Sequence, residues 1–283
     1  MCGIVGIFPT RHNEEFLEQA KEDFEWLLLT AQIRGKDAAG AFVVSKKGEI
    51  FFAKSPGPAT FFTRTGGWKS LMDKVDENTV AMVGHTRYET LGNSQQNENN
   101  HPLVDGDIVG VHNGIITNHR SLTQKYGSLA EVDSASMVAS CRYRSEKEPL
   151  SIDTVALVAE ELSGSFACVL ADARRSDRIW IMRNQSSPVV LFKSANGIYF
   201  ASTETILKVG VETKEQIYSV PPYSILEVAR SEDRGKILTM KKFVPFVEPP
   251  LPVRSLSSSF RGWDAYGWRP FPERKQYPWL RKD

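Results

Sequence analysis

The second residue of the chain, Cys2, has the two properties that a nucleophilic catalyst requires. Its thiol is intrinsically nucleophilic, with a usual pKa of about 8.5. After removal of Met1, its own α-amine, with a pKa of about 7.7–8.0, can accept the thiol proton without a separate histidine base. Position alone favours a simpler interpretation, a small residue that leads into the apolar run 3–8. The residues downstream decide between the two interpretations.

Polar residues that could take part in catalysis or binding follow at the ends of apolar segments. The segment 84–90 contains Arg87, whose guanidinium can bind a carboxylate through two parallel hydrogen bonds. The segment 111–118 contains Asn113-Gly114, a side-chain amide and a backbone N–H that can donate to an oxyanion. Asn-Gly is also typical of a simple turn, but its apolar flanks place it at the end of a strand.

These motifs, with Arg34-Gly35 and the Cys2-Gly3 start, resemble in order and spacing the class II glutamine amidotransferases. The glutaminase domain of that family is an N-terminal-nucleophile hydrolase, and the resemblance covers roughly residues 2–230. The resemblance implies three sets of site residues. They are the catalytic residues Cys2, Asn113 and Gly114, the substrate-binding residues Arg87, Tyr88, Thr90 and Asp133, and the supporting residues Arg34, Gly35 and His85.

The resemblance also implies a mechanism. Cys2 is expected to attack the side-chain amide of glutamine, release ammonia and hold a γ-glutamyl thioester for water to hydrolyse. Asn113 and Gly114 would stabilise the oxyanion, Arg87 would bind the α-carboxylate, and Asp133 would bind the α-ammonium. From the sequence alone, Asp133 is equally a candidate N-cap of the helix predicted at 134–145. Gly35 is independently explained as the residue that ends the first helix.

The chain departs from the family pattern after Arg87. Many relatives continue with Trp, Ala, Thr, His and Gly, whereas this chain has Tyr88-Glu89-Thr90-Leu91-Gly92, and Ala38 stands where Ser is common. We therefore expect the loop that closes over glutamine to behave differently. Two other functions stay open: an amidohydrolase that acts on another γ-glutamyl or acyl amide, and a catalytically silent binding or assembly protein.

The elements that must position these residues follow from apolar patterning. After a strand at 2–8, apolar residues spaced by four predict a helix that begins at Asn13. A hairpin is expected around Lys47-Gly48, and the polar stretch 90–100 is a candidate lid or binding loop. Further strands are expected at 79–86, 107–116, 165–171, 178–184, 189–194, 198–202, 223–229 and 236–243, with helices at 134–145 and 152–162.

This order of elements predicts an α+β fold, and the resemblance implies the four-layered α/β/β/α sandwich of the N-terminal-nucleophile hydrolases. We expect a glutaminase domain over residues 2–243. The remainder, 244–283, holds seven of the fifteen prolines and three of the six tryptophans. This tail is expected to wrap over the domain or to dock a protein partner, and nucleic acid is a third candidate because arginines alternate with aromatic residues.

Composition narrows the class of protein. A formal net charge of +1 gives no overall case for nucleic acid or an anionic membrane, and no apolar run is long enough to span a bilayer. Three cysteines without a CxxC pair favour a reducing, cytoplasmic location, with Cys141 and Cys168 as buried thiols. Four clustered histidines match no zinc spacing, so neither metal nor cofactor is expected.

The expected partners are L-glutamine and an enzyme that consumes its ammonia. Full-size relatives fuse the glutaminase domain to a synthase, and about fifty residues remain here after the matched region. We therefore expect ammonia to pass to a separate synthase or amidotransferase subunit.

Overall fold

The computed structural model describes residues 1–128, 130–231 and 235–246, and Met1–Phe246 form one compact unit. The described strands are β1 Gly3–Pro9, β2 Ala38–Ser45, β3 Glu49–Pro56, β4 Thr79–Arg87, β5 Leu103–Asp105, β6 Ile108–Ile116, β7 Gly164–Asp172, β8 Arg178–Arg183, β9 Val190–Lys193, β10 Gly197–Ala201, β11 Tyr218–Ser219, β12 Ser224–Ser231 and β13 Gly235–Lys242. The described helices are α1 Glu14–Ala31, α2 Ala59–Phe62, α3 Gly66–Met72, α4 His119–Tyr126, α5 Asp133–Arg144, α6 Ile152–Glu161 and α7 Glu204–Gly210.

The strands form two antiparallel sheets. The first sheet has the order β11-β9-β10-β1-β4-β2-β3, and the second has the order β13-β12-β8-β7-β6-β5. Strands β1 and β4 are central in the first sheet, and every residue in both is buried, as continuous apolar runs predict. The α+β class predicted from the sequence is therefore confirmed.

Each sheet has its own helices and its own apolar core. Helix α1 packs on β1 and β4 of the first sheet, where its buried stripe of Phe16, Ala20, Phe24 and Leu28 joins one core cluster. Helices α5 and α6 pack on the second sheet and contribute to a separate cluster around Trp180. Burial of these large side chains stabilises the two layers, at about 1.5–3 kcal/mol for each fully buried side chain.

One of the two expectations about the ends of α1 is wrong. Asn13 occupies the N-cap position as expected, although its side chain makes no capping hydrogen bond, but the C-cap residue is Gln32. Gly35 therefore does not cap the helix. It is a glycine because a Cβ there would lie 2.3 Å from the backbone carbon of Arg87 and 2.5 Å from the backbone nitrogen of Tyr88, so the chain passes directly against the end of β4.

Other predictions agree with the structure in place and type. The hairpin β2–β3 turns at Gly48, whose φ of +83° favours glycine, and α5 and α6 lie where helices are expected. Helices α2, α3, α4 and α7 were not predicted. No helix among the described residues has the length and apolar character to cross a membrane. The predicted tail lies outside the described residues from residue 247 onward.

Candidate active site

Antiparallel pairing brings the nucleophile and the guanidinium to one edge of the first sheet. Strand β1 begins at Gly3, which pairs with Thr86 near the end of β4. Cys2 and Arg87, the residues next to this pair, therefore reach the same place. The Nε of Arg34 donates to the Cys2 carbonyl oxygen at 2.7 Å and holds the N-terminal segment there.

The thiol of Cys2 lies against the backbone of Tyr88. Its Sγ is 3.4 Å from the Tyr88 N–H, which donates to it, and 3.6 Å from the Tyr88 carbonyl oxygen. Cys2 is partly exposed as a residue, but protein surrounds the thiol closely enough that desolvation raises its pKa, against the opposing effects of the Tyr88 N–H, the N-terminal charge and Arg87. The resting group is therefore a thiol that needs a base.

The guanidinium of Arg87 is buried and already occupied. Its Nη1 donates to the Asn100 side-chain oxygen at 2.7 Å, and its Nη2 donates to the carbonyl oxygens of Leu91 and Gly92 at 2.6 and 2.7 Å. Desolvation lowers the pKa of Arg87, and Glu89 is the largest opposing charge. The loop that follows β4 thus folds back over Arg87. Its neutral oxygens accept hydrogen bonds from the guanidinium that is expected to bind a carboxylate.

The second sheet contributes Asn113-Gly114 from within β6, where both residues pair with β7, so the expectation that they stand at the end of a strand is wrong. Asn113 is only 2% exposed, and its side chain makes no hydrogen bond to any described residue. Gly114 has a φ of +139°, and a Cβ there would lie 1.9 Å from the carbonyl oxygen of Ser165 on β7. Glycine is therefore required at this position, and Asn113 retains a free amide beside it.

Asp133 is the first residue of α5, and Val132 is the N-cap. The alternative prediction, that Asp133 caps this helix, is therefore wrong. Its Oδ2 accepts the backbone N–H of Ile116 at 2.6 Å, whereas its Oδ1 has only a long 3.5 Å contact with Ser134 Oγ. One carboxylate oxygen is thus anchored to the end of β6, and the other is largely free to accept a ligand.

One small cavity connects Cys2, Arg87, Gly114 and Asp133, whereas Asn113 is not among the residues that line it. It has a volume of about 10 Å³ and is lined by Cys2, Arg87, Tyr88, Thr90, Leu91, His101, His112, Gly114, Val132, Asp133 and Ser134. This volume is about the space of one water molecule. A ligand the size of an amino acid can enter only if the lining moves. The Leu91–Gly92 segment over Arg87 belongs to a loop and not to a sheet, so it is a part of the lining that can move.

The other predicted residues take different positions around this cavity. Thr90 and Tyr88 both line it, and Tyr88, which is 54% exposed, donates its backbone N–H to the Cys2 thiol. Arg34 and Gly35 act behind the nucleophile, as described above. His85 is buried, and its Nε2 lies 2.9 Å from the His112 carbonyl oxygen, one residue before Asn113.

Three residues of the site were missed as functional candidates. Asn100 lies in a polar stretch in which nothing distinguishes it from its neighbours, and His101 and His112 were considered only as metal ligands. No group of three or more metal-ligating side chains with suitable geometry occurs among the residues described. Both remaining cysteines are buried free thiols, as predicted.

Comparison with known proteins gives a consistent family. A family profile described as a glutamine amidotransferase domain matches residues 85–209. The glutamine--fructose-6-phosphate aminotransferase [isomerizing] of Aliivibrio fischeri is 30% identical over 244 residues, which cover 83% of this chain and 36% of the relative. The Staphylococcus epidermidis protein of the same name is 31% identical over 195 residues, covering 67% of this chain and 30% of the relative.

A solved structure of glutamine phosphoribosylpyrophosphate amidotransferase from B. subtilis superimposes with a TM-score of 0.64 at 19% identity. It covers 86% of this chain and 49% of that chain, and this likeness concerns the fold. The chain spans about a third of the length of the curated relatives it matches. From the family profile, these relatives and the site described above, we conclude that the chain contains a glutaminase domain of the class II glutamine amidotransferase family.

Proposed function

We propose that this chain hydrolyses L-glutamine to glutamate and ammonia through a γ-glutamyl thioester on Cys2. The observation that carries the proposal is the single cavity lined by Cys2, Arg87, Gly114 and Asp133. It combines a nucleophile, a cation, an oxyanion donor and an anion, and these match the amide and the two charged head groups of one amino-acid substrate. The reaction and the roles of the site residues are inferred for this chain from its family, and the local geometry supports them.

The proposed chemistry begins with transfer of the thiol proton to the α-amine of Cys2. Sγ then bonds to the amide carbon of glutamine, and the carbonyl oxygen becomes an oxyanion stabilised by the Asn113 amide and the Gly114 N–H. Collapse of this intermediate breaks the C–N bond, and the α-ammonium returns its proton to the departing ammonia. Water then attacks the thioester, and glutamate and the free thiol are released.

The head group is proposed to bind between Arg87 and Asp133. A carboxylate can accept two parallel hydrogen bonds from a guanidinium and also carries the opposite charge, so it can displace the neutral Leu91 and Gly92 carbonyl oxygens from Arg87. The free Oδ1 of Asp133 suits the α-ammonium. Glutamine binding and movement of the 90–100 loop are therefore one event in this proposal.

The proposed base exists only after Met1 is removed, because the Cys2 nitrogen is otherwise part of a peptide bond. Met1 is 77% exposed, so it is accessible to an aminopeptidase. The raised pKa of the Cys2 thiol makes this base necessary, since little thiolate is present at neutral pH without it. Intact-mass measurement reports directly whether the mature chain begins at Cys2.

The proposal is tested by glutamine turnover together with a glutamine-analogue electrophile. We expect steady release of glutamate and ammonia, and a single adduct that peptide mapping assigns to Cys2. A protein that begins at Cys2 and gives neither product nor adduct would be a silent scaffold, and the proposal would be wrong. Faster cleavage of γ-glutamyl peptides than of glutamine would instead support an amidohydrolase of different specificity.

We also propose that the ammonia passes to a separate synthase or amidotransferase subunit, and that the domain is the four-layered α/β/β/α sandwich of its family. Contacts of α1 with the first sheet and of α5 and α6 with the second support that layering. The docking part is tested by affinity capture with the full chain. If no partner is recovered and the isolated chain releases ammonia vigorously, a dedicated acceptor is excluded.

A further inference from the structure

A buried histidine connects the two sheets beside the proposed oxyanion donors. His85 projects from β4 and is 1% exposed, and its Nε2 lies 2.9 Å from the carbonyl oxygen of His112 on β6. A carbonyl oxygen can only accept, so Nε2 carries the imidazole proton and donates. The Nδ1 of the same ring is buried and has no partner among the described residues.

The ring of His101 covers His85. The two ring centroids are 4.1 Å apart, and both nitrogens of His101 are buried without a partner among the residues described. Burial lowers the pKa of His85 to about 3 and lowers that of His101 as well. Both rings are therefore neutral at physiological pH, and His85 keeps one fixed tautomer.

This arrangement is costly for stability. A buried polar atom without a partner loses its hydrogen bonds to water and destabilises the folded state, and the three nitrogens described above belong to this class. Apolar residues of similar size would avoid that cost. A functional reason for a donor at His85 is therefore indicated, because its Nε2 makes the one hydrogen bond that the two rings form among the described residues.

The accepting carbonyl belongs to the peptide group that joins His112 to Asn113. Because a peptide group is planar, fixing its oxygen also fixes the direction in which the chain enters Asn113. The Asn113 amide and the Gly114 N–H depart from this point. Oxyanion donors must lie within about 2.7–3.1 Å of the developing charge, and displacement of a reacting group by 1 Å can cost about 10²-fold in rate.

We propose that His85 is a positioning residue for the oxyanion donors, which it holds in place from the opposite sheet through the His112 carbonyl. This inference rests on the proposed glutaminase function. His85 does not touch the substrate in this account. It acts only in the step where negative charge develops, so its removal should slow turnover without weakening the binding of glutamine.

The test compares three variants as full chains that begin at Cys2. His85→Phe keeps the ring and loses the donor, and we expect kcat to fall about 10- to 100-fold with less than about threefold change in KM. His85→Gln offers an amide N–H at a similar reach, and we expect most of the rate to return. His12→Phe is the control, because the Nε2 of His12 also contacts a backbone carbonyl oxygen of β4, that of Thr79 at 3.0 Å, at the end of the strand away from the cavity, and we expect normal turnover.

Rates are expressed per Cys2 that reacts with the glutamine-analogue electrophile, so that misfolded protein is not counted. His85→Met serves as the second variant without a donor if the Phe variant does not fold. Normal kcat in both, or a rise in KM with kcat unchanged, overturns the proposal. An equal loss of kcat in His12→Phe would show a general effect of losing a histidine contact to β4 and would also overturn it. Failure of the glutaminase function itself is distinct, because the unmodified chain would then show no turnover.

Discussion

The two sheets contribute to the same cavity in different ways. The first sheet supplies Cys2 and Arg87, and both contact backbone groups of the segment 88–92 that follows β4. The second sheet supplies Asn113-Gly114, and Asp133 is tied to the end of β6 through the Ile116 N–H. Groups of the first sheet are therefore engaged by a loop that substrate must displace, whereas those of the second are fixed by the sheet itself. Under the proposed function, the first sheet supplies the nucleophile and the carboxylate-binding group, and the second supplies the oxyanion donors and the ammonium-binding carboxylate.

The largest effect is expected from the nucleophile of the first sheet. Cys2→Ala removes the atom that forms the thioester, so glutaminase turnover should fall by about 10⁶-fold, as loss of a nucleophile does in other hydrolases. Cys168→Ala is the matched control, because burial raises the pKa of that thiol well above its usual value and it lies in the apolar core. Residual turnover within tenfold of the unmodified enzyme would show that Cys2 is not the nucleophile.

The next largest effect is expected from an oxyanion donor of the second sheet. Asn113→Ala removes one oxyanion donor, and we expect kcat to fall about 10²- to 10³-fold with KM nearly unchanged. Asn184→Ala is a matched control, since Asn184 is also buried but donates to the Gly164 carbonyl oxygen away from the cavity. Steady-state kinetics on glutamine separates the two parameters. If the loss appeared in KM, the division of labour between the sheets would be wrong.

A smaller effect is expected from Arg87 of the first sheet, and this effect should appear in KM more than in kcat. Arg87→Lys loses the two-pronged contact with a carboxylate, so KM should rise roughly 10- to 100-fold while kcat changes less. Arg183 offers the control, because its buried guanidinium also donates to backbone carbonyl oxygens, those of Asn184, Gln185 and Val220. Arg183→Lys should leave KM unchanged, and equal effects of both substitutions would contradict a specific role for Arg87.

The smallest effect concerns the histidines between the sheets. Burial lowers the pKa of His85 to about 3 from the usual 6.5 and lowers that of His101 as well, so below pH 6.5 the unfolded chain binds protons there and the native protein does not. The stability contributed by neutral imidazoles is therefore present above pH 6.5 and lost as pH falls. Each histidine should cost up to about 1.4 kcal/mol per pH unit.

Urea unfolding at pH 6.5 and 5.5 measures this loss. His101→Phe should reduce the fall in the free energy of unfolding between these pH values by one histidine's share. An unchanged pH dependence in this variant would mean that other groups govern acid unfolding.

Much of this site was accessible from the sequence because its motifs are short and local. Cys2 precedes an apolar run, Arg87 follows one and Asn113-Gly114 lies within a third, and such runs predict buried strands. The contacts that define the resting state could not be predicted from the sequence. Asn100 bonds to Arg87 from within a run of similar amides, so only the folded loop distinguishes it from its neighbours.

Gly35 and α4 show two further reasons for missed predictions. Gly35 follows a helix, which suggests a cap, but its cause is the backbone of Arg87, a neighbour in space and not in sequence. Helix α4 buries only Leu122 and Tyr126, so the sequence carries almost no periodic apolar signal. The role of Gly35 depends on a tertiary contact, and α4 has too short an apolar pattern to be recognised, so neither could be predicted from the sequence.

The size of the resting cavity has a consequence for selective inhibitors. A space of about 10 Å³ admits no drug-sized molecule, so compounds chosen by shape against this conformation would select other surfaces. A useful warhead must bring its own means of opening the loop, and the α-carboxylate is the group that competes for Arg87. We expect amino-acid electrophiles to label Cys2 much faster than equally reactive neutral reagents, which gives the site a chemical filter before any bond is formed.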